Sequence, residues 1–421
     1  MASTSIADAG AATAPPVARG EEAVDYKAVA LLSAAHLTDD VNQGVVPAML
    51  PFFIAADHLS YAAAAGLMLA QTLSASVMQP LFGMMADSRP SPWLIPLGLI
   101  LAGIGVALSG IAPGYWTIFA VIALSGIGIS AFHPEAARRV RYLSGPRQAT
   151  TMSLFTVGGM FGFAIGPLLI TPTLLACGTR GALILALPVT LMGAIVWRRL
   201  PRLAVAPRAT LPSGPHVDTA APEHWADFIR LSAVINFRSI VFFGLNTFIP
   251  LYWIHVLAGT KAGAAYALTV MLIAVAIGTL VGGRLADIYG RRIVIVVSLA
   301  AVVPLMLLFL ASVSRPLAML LLVPIGGTLA LSNSVVVVMA QEYLPNRVGL
   351  AAGVTLGLSM TIGGLAMPIF GAIADHYGLV RTLFLLAALP ALGFALSLRL
   401  RESGGAVQQS IVLAEPIEQQ V

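Results

Sequence analysis

"KAVALLSAAHLTDDVNQGVVPAMLPFFIAA" (residues 27–56) is the stretch whose reading decides the fold. It is apolar at both ends and long enough to cross a bilayer, which takes about 20 mostly apolar residues. Yet its middle carries His36, Asp39, Asp40, Asn42 and Gln43. An aspartate at the centre of a spanning helix costs about 2.5–3.5 kcal/mol to insert. Such a burden points to function or to pairing inside the protein.

The surroundings support a membrane helix. The chain has 421 residues, of which 58% are hydrophobic and only 10% charged. A soluble domain carries about 25% charged residues, so this chain is unable to cover its surface in water. Apolar runs recur from end to end. The formal net charge is +5. In a membrane protein that balance reads as arginines anchoring cytoplasmic loops, and no nucleic-acid partner is expected. The single cysteine, Cys177, allows no internal disulfide and argues against a metal cluster. No metal ligand set, nucleophile elbow or phosphate loop is visible, so neither enzyme activity nor a cofactor is expected.

Twelve candidate spans follow, at 27–56, 61–86, 92–112, 115–138, 149–175, 180–198, 228–257, 263–286, 292–312, 316–341, 349–375 and 380–399. Residues 1–26 are small and polar, without the apolar core of a signal peptide, and read as a disordered cytoplasmic tail. Residues 400–421 read the same way. Residues 199–227 are rich in Pro and Arg and read as a cytoplasmic linker between two six-helix bundles, 27–198 and 228–399. With the N-terminus in the cytoplasm, cytoplasmic segments hold 18 of the Lys and Arg residues and the opposite loops hold 4. Both termini are therefore expected in the cytoplasm. The remaining cation, Arg238, lies inside the seventh span.

The two halves repeat with an offset close to 200. "GMMADSRP" (83–90) matches "GRLADIYG" (283–290), "YLSGPR" (142–147) matches "YLPNR" (343–347), and "VGGMFGFAIG" (157–166) echoes "IGGLAMPIFG" (362–371). Parallel repeats related by an axis along the membrane normal are a transporter architecture, with substrate and coupling ions near the midplane between the halves.

Adjacent helical side chains point about 100° apart. His36, Asp40 and Gln43 form one file and Asp39, Asn42 and Gln43 another, a broad stripe suited to lining a cavity. Two neighbouring carboxylates out of water repel when both are charged, which suits reversible proton uptake. Under the repeat, Asp39 corresponds to Ser239, beside Arg238, on a helix that also carries Asn236 and Asn246. A guanidinium there either binds an anionic substrate bidentately or neutralises an aspartate across the interface. In "GISAFHPEAARR" (128–139), His133 and Glu135 face the same choice. Either they line the cavity and handle protons or substrate, or Glu135 makes a surface pair with Arg138 and Arg139. Their repeat partners are Asn333 and Val335. Asp87 with Arg89, and Gly283 and Asp287 with Arg291 and Arg292, sit at cytoplasmic helix ends, where an acid can latch one conformation. Asp375 has no assigned role.

These features resemble the major facilitator superfamily: an all-α membrane protein with twelve transmembrane helices in two six-helix bundles, and "GRLADIYGRR" (283–292) after the eighth span. The first-half copy, "GMMADSRPSPW" (83–93), lacks the Gly-Arg-Arg end. "AHLTDDVNQGVVPAMLPFF" (35–53), "AFHPEAAR" (131–138), "SLFTVGGMFGFAIGPLL" (153–169) and "AQEYLPNRVGLAAG" (340–353), with the segment that follows to residue 378, are similar to the fosmidomycin-resistance family of drug exporters. The resemblance implies proton-driven efflux of a small molecule across the bacterial inner membrane, with a monomer sufficient. On this reading Asp39, Asp40 and Glu135 couple protons. His36, Asn42, Gln43, His133, Asn236, Arg238, Asn246 and Asn333 bind substrate, and Asp87, Arg89, Gly283, Asp287, Arg291 and Arg292 gate. Alternatives on the same fold are a proton symporter importing a sugar or organic acid, and a membrane sensor or scaffold.

Overall fold

The computed structural model describes residues 24–88, 91–144, 147–203, 222–347, 350–351 and 353–402. Among them every regular element is helical. The helices are α1 (Tyr26–Asp57), α2 (Tyr61–Ser88), α3 (Leu94–Ser109), α4 (Tyr115–Leu143), α5 (Gln148–Cys177), α6 (Ala186–Leu203), α7 (Trp225–His255), α8 (Lys261–Tyr289) and α9 (Arg291–Ala311). Then come α10, in two pieces (Arg315–Ala330 and Asn333–Tyr343), α11, with a π-helical start (Gly353–Leu358) continuing as Ser359–Tyr377, and α12 (Leu379–Ser397).

Nine described stretches are spans by length and apolarity alone. One of these, Thr150–Pro201, contains both α5 and α6. The short α3, with 16 residues, and α1, diluted by its polar stripe, complete the twelve. Local chemistry sets several ends. The Asp25 carboxylate accepts from the amide of Ala28 at 3.0 Å and starts α1. Gly290 (φ 90°) and Gly378 (φ 83°) are the single-residue reversals between α8 and α9 and between α11 and α12, a backbone region that suits glycine.

The expected boundaries need three corrections. The sixth span does not begin as an α-helix at 180. A 3₁₀ segment, Gly178–Leu185, first reverses the chain against α5, and α6 then runs on to Leu203. The linker does not reach 227, because α7 starts at Trp225. Buried Asp227 in its first turn is bonded to Arg230 at 3.0 Å and lies 3.8 Å from Arg401. Nor is residue 400 the start of a loose tail. Leu400 is buried in a core, and the Tyr343 hydroxyl donates to the Arg401 carbonyl. The Glu402 carboxylate takes the amides of Arg291 (2.7 Å) and Arg292 (3.2 Å), capping α9. Composition alone does not reveal these residues as ordered, because most of their partners are groups on other helices.

The apolar core shows how the halves meet. One cluster threads both bundles, joining Val45, Phe53 and Leu67 to Phe248, Leu268 and Leu386. Nearer the ends that carry the termini the core divides. Leu32, Ile95, Phe132 and Val140 form one cluster in the first half, and Leu231, Ile295, Met339 and Leu400 form another in the second. At the end away from the termini, the Asp375 carboxylate on α11 accepts from the amides of Tyr61 (2.7 Å) and Ala62 (2.9 Å), capping α2 across the halves. Backbones nearly touch there, since a Cβ on Gly371 would stand 2.6 Å from Ala62 Cα.

Candidate substrate and coupling site

The polar stripe of α1 lies where the joined core gives way to the divided one: Leu32 and Ala35 belong to one cluster, Val41 and Val45 to the other. His133 of α4 meets it there. His36 Nε2 stands 3.2 Å from His133 Nε2 and 3.3 Å from Asp40 Oδ2. His133 Nε2 is 3.3 Å from Asp40 Oδ1, and His133 Nδ1 is 3.6 Å from Asp39 Oδ2. Gln43 Nε2 donates to Asp40 Oδ1 at 2.6 Å. Phe155 stacks on the His36 ring, with centroids 4.1 Å apart. The sequence points to His36, Asp39, Asp40, Gln43 and His133 as members of one site, and the structure assembles them.

Exposure divides their roles. Asp39 is completely buried, and neither of its carboxylate oxygens has a hydrogen-bond donor. Asp40 is nearly buried, whereas the His133 side chain keeps 24% of its surface and forms the accessible edge. Asn42 is buried, with its amide on the carbonyls of Thr38 and Asp39. It does not enter the cluster.

Close approach of α1 and α5 makes this possible. A Cβ on Gly159 would overlap His36 Nε2 and Asp40 Oδ2, and one on Gly158 would lie 2.5 Å from the Ser33 carbonyl oxygen. Small residues allow such contact between spanning helices. Gln71 ties the arrangement further, donating to the Asn42 carbonyl (3.2 Å) and to Ser125 (3.3 Å) from a buried position on α2. Sequence reasoning misses both Gly159 and Gln71 as site residues. The glycine repeat is the available signal, and by itself it points only to helix packing.

Arg238 occupies the matching level of the second half, between Ile235 of the divided core and Val241 of the joined one. Its guanidinium donates to Asn333, at the break in α10, and Asn333 in turn donates to Thr279 of α8 at 2.9 Å. Arg238 Nε has no hydrogen-bond partner. Among the described ion pairs none joins Arg238 to Asp39 or Asp40, so of the two readings the sequence leaves open, neutralisation across the halves is absent here. Asn246 is buried one helical stretch further along α7, its amide on the Phe242 carbonyl (2.8 Å) and its Oδ1 without a donor. Asn236 is half-buried on the same helix. The repeat is visible in these contacts: His133 meets α1 in one half, and its counterpart Asn333 meets α7 in the other.

Glu135 does not join the cluster. Arg138 Nη2 (2.8 Å) and Arg139 Nε (2.7 Å) hold its two oxygens. That is the pairing expected of a surface acid, but Glu135 is fully buried. With both oxygens bound to guanidinium groups, it is a clamp on α4 rather than a member of the Asp–His site.

The expected gate is partly rearranged. Asp287 is exposed. Arg291 pairs with Glu342 of α10, and Arg292 Nη2 donates to the Leu398 carbonyl at 2.6 Å. Two acids not anticipated for the gate, Glu342 and Glu402, therefore meet its arginines. At Gly283 a Cβ would make only an ordinary contact, with Ser334 Oγ at 3.5 Å. The Asp87 side chain and Arg89 lie outside the described residues.

The profile of the Major Facilitator Superfamily matches residues 32–364 and 239–412. The chain belongs to the Major Facilitator Superfamily. As a superfamily member it is a multi-pass membrane transporter of small molecules rather than an enzyme. It is 30% identical over 394 residues to the Fosmidomycin resistance protein of Escherichia coli (strain K12), covering 91% of this chain and 94% of that one. It is 31% identical over 385 residues to the uncharacterized MFS-type transporter YfnC of Bacillus subtilis (strain 168), covering 87% and 91%. In fold it is similar to a point mutant of the nucleoside transporter NupG, with TM-score 0.74 and 15% identity over 89% of this chain and 100% of that one. A bacterial homologue of the human lysosomal transporter Spinster, inward-facing and occupied, gives TM-score 0.72 and 16% identity over 89% and 97%. Superfamily membership accounts for the two-bundle core, and the level at which that core divides is where both charged clusters lie.

Proposed function

We propose that the protein is a proton-coupled antiporter that exports a small drug-like or metabolite anion across the bacterial inner membrane by alternating access. One observation carries the proposal: an Asp–His cluster in one half and an Arg–Asn cluster in the other lie at the same level, where the joined core divides. Charge at that depth is costly, and a desolvated ion whose hydrogen bonds are incomplete is penalised. Asp39 and Arg238, each with polar atoms that lack hydrogen-bond partners, are therefore groups that a proton and an anion, respectively, would stabilise. Likeness to the Fosmidomycin resistance protein supports a drug-like cargo.

In this mechanism both termini are cytoplasmic, as the distribution of Lys and Arg favours, so the divided side of the core faces the cytoplasm. The described state is then inward-facing, closed outside by the α2–α11 contact. Substrate enters from the cytoplasm and places its anionic group on Arg238 and Asn333. Rocking of the halves opens the site outward, Asp39 or Asp40 takes a proton, and the substrate leaves. Return to the inward state releases the proton. His36, Gln43 and His133 orient Asp40, Asn42, Asn236 and Asn246 lie along the same two helices, and a monomer suffices.

Everted vesicles with a preformed proton gradient test direction and coupling together. Adding fosmidomycin, or a hit from a resistance screen across compound classes, is expected to dissipate the gradient. If a transported compound leaves the gradient unchanged, the antiport mechanism is wrong. Co-accumulation of protons and substrate from the outside would assign a symporter.

A further inference from the structure

The His36–Asp40–His133 cluster has a geometry that proton handling does not require. His36 Nδ1 lies 2.8 Å from the Phe155 carbonyl and His133 Nδ1 lies 2.9 Å from the Ile129 carbonyl. A carbonyl only accepts, so both Nδ1 atoms carry protons. In the neutral rings both Nε2 atoms are then lone pairs, and they face each other at 3.2 Å with the Asp40 carboxylate 3.3 Å from each. Three acceptors pointed at one place call for a cation between them, a proton or a metal ion. The separations exceed the roughly 2.7–2.9 Å of a charge-assisted hydrogen bond. They lie near the edges of a tetrahedron around zinc, where bonds of about 2.0–2.2 Å place ligand atoms roughly 3.3–3.6 Å apart, with His36 Nε2 facing Oδ2 and His133 Nε2 facing Oδ1 of the carboxylate.

The surrounding shell is also that of a metal site. Histidine ligands of metals commonly donate their other ring N–H to a backbone carbonyl or carboxylate, which fixes tautomer and orientation. Both histidines do so here, and Gln43 holds the carboxylate at 2.6 Å. His36 and Asp40 are buried, and the partly accessible His133 marks the way in.

We infer that His36 Nε2, His133 Nε2 and Asp40 form a three-ligand site for a zinc-type divalent transition-metal ion, with a fourth position left to water. The sequence expectation of no metal rests on cysteine count. Here the donors are nitrogen and oxygen, brought together from α1 and α4 across 97 residues. The inference concerns the same residues as the coupling proposal but stands on ligand geometry, so the two fail separately.

The test is Co²⁺ titration of the purified full-length protein in detergent, followed by its visible ligand-field absorption and by Zn²⁺ competition. One Co²⁺ per chain, with the intense bands of a tetrahedral site abolished by Zn²⁺, is expected. His36→Ala and His133→Ala should each weaken binding at least tenfold, while His376→Ala, on α11, should not. His133→Cys keeps a ligand and should retain the metal with an added sulfur charge-transfer band, which guards against misfolding as the cause of loss. No stoichiometric Co²⁺ band in the wild-type protein, or binding unchanged by both alanine variants, would overturn the site. Loss of the band with intact coupled transport removes only the metal inference. Metal binding by the wild-type protein, together with normal transport by Asp39→Asn and Asp40→Asn, removes only the coupling proposal.

Discussion

Asp39 and Asp40 are neighbours in the chain with different surroundings. Asp40 shares its carboxylate with two histidines and Gln43, whereas Asp39 has only the distant His133 Nδ1. Asp39→Asn and Asp40→Asn are each expected to abolish proton-linked transport while leaving a folded protein, measured as substrate-induced gradient collapse in vesicles together with a thermal unfolding curve. Normal pumping by both variants would remove the aspartates from coupling. On the opposite half, Arg238→Lys keeps the charge but loses the planar fork. Transport of anionic substrates should fall more than that of neutral ones, and equal losses would contradict anion contact. The residue types of this site are legible in the sequence because acids, histidines and an arginine stand out against apolar helices. Their partners are not. The contact of His133 with His36 depends on which faces of α1 and α4 meet, whereas the pairing of Glu135 with Arg138 and Arg139 is helix spacing, one of the two readings the sequence leaves open.

At the scale of elements, the α1–α5 seam positions the site. Gly159→Ala inserts a methyl group where His36 and Asp40 already lie. Overpacking of this kind costs about 1–3 kcal/mol. A lowered Tm with impaired transport is expected, whereas Gly83→Ala on α2, with nothing within 4 Å of the new methyl, should leave Tm unchanged or slightly raised. Equal behaviour of the two variants would show that the seam is not tight. Glu402 gives a second case. It caps α9 from beyond the end of α12, and loss of a cap costs about 0.5–2 kcal/mol. Glu402→Ala should lower thermal stability accordingly, measured as a fall in Tm. Helix positions are readable from apolar runs, but the 3₁₀ entry to α6, the break in α10 and the docked residues 400–402 are not. Each depends on backbone groups meeting another helix.

For the whole molecule, the joined core and the Asp375 cap hold the halves together at the end away from the termini. Removing that cap costs the closed state about 1 kcal/mol, a several-fold change in an equilibrium between two conformations. Asp375→Ala is expected to shift the population toward opening at that end. Spin-label distances between the start of α2 and the end of α11 would lengthen, and no lengthening would remove Asp375 from the gate. The repeat and the superfamily resemblance already imply two bundles. Which end is closed, and that Asp375 helps to close it, appears only when α2 and α11 are seen in contact.

Apolar run length by itself determined that the chain crosses the membrane many times, because a helix must satisfy its backbone internally and present apolar side chains to lipid. The repeat at an offset near 200 determined that the crossings form two similar halves. Only tertiary structure decided that His36, Asp40 and His133 converge on one point, that Arg238 turns to Asn333 rather than to an acid, and that Glu135, with its arginine pair, is buried. Hydropathy is a local sum along the chain. A side-chain cluster depends on which faces of separate helices meet, and here the glycines of α5 set how closely it packs on α1.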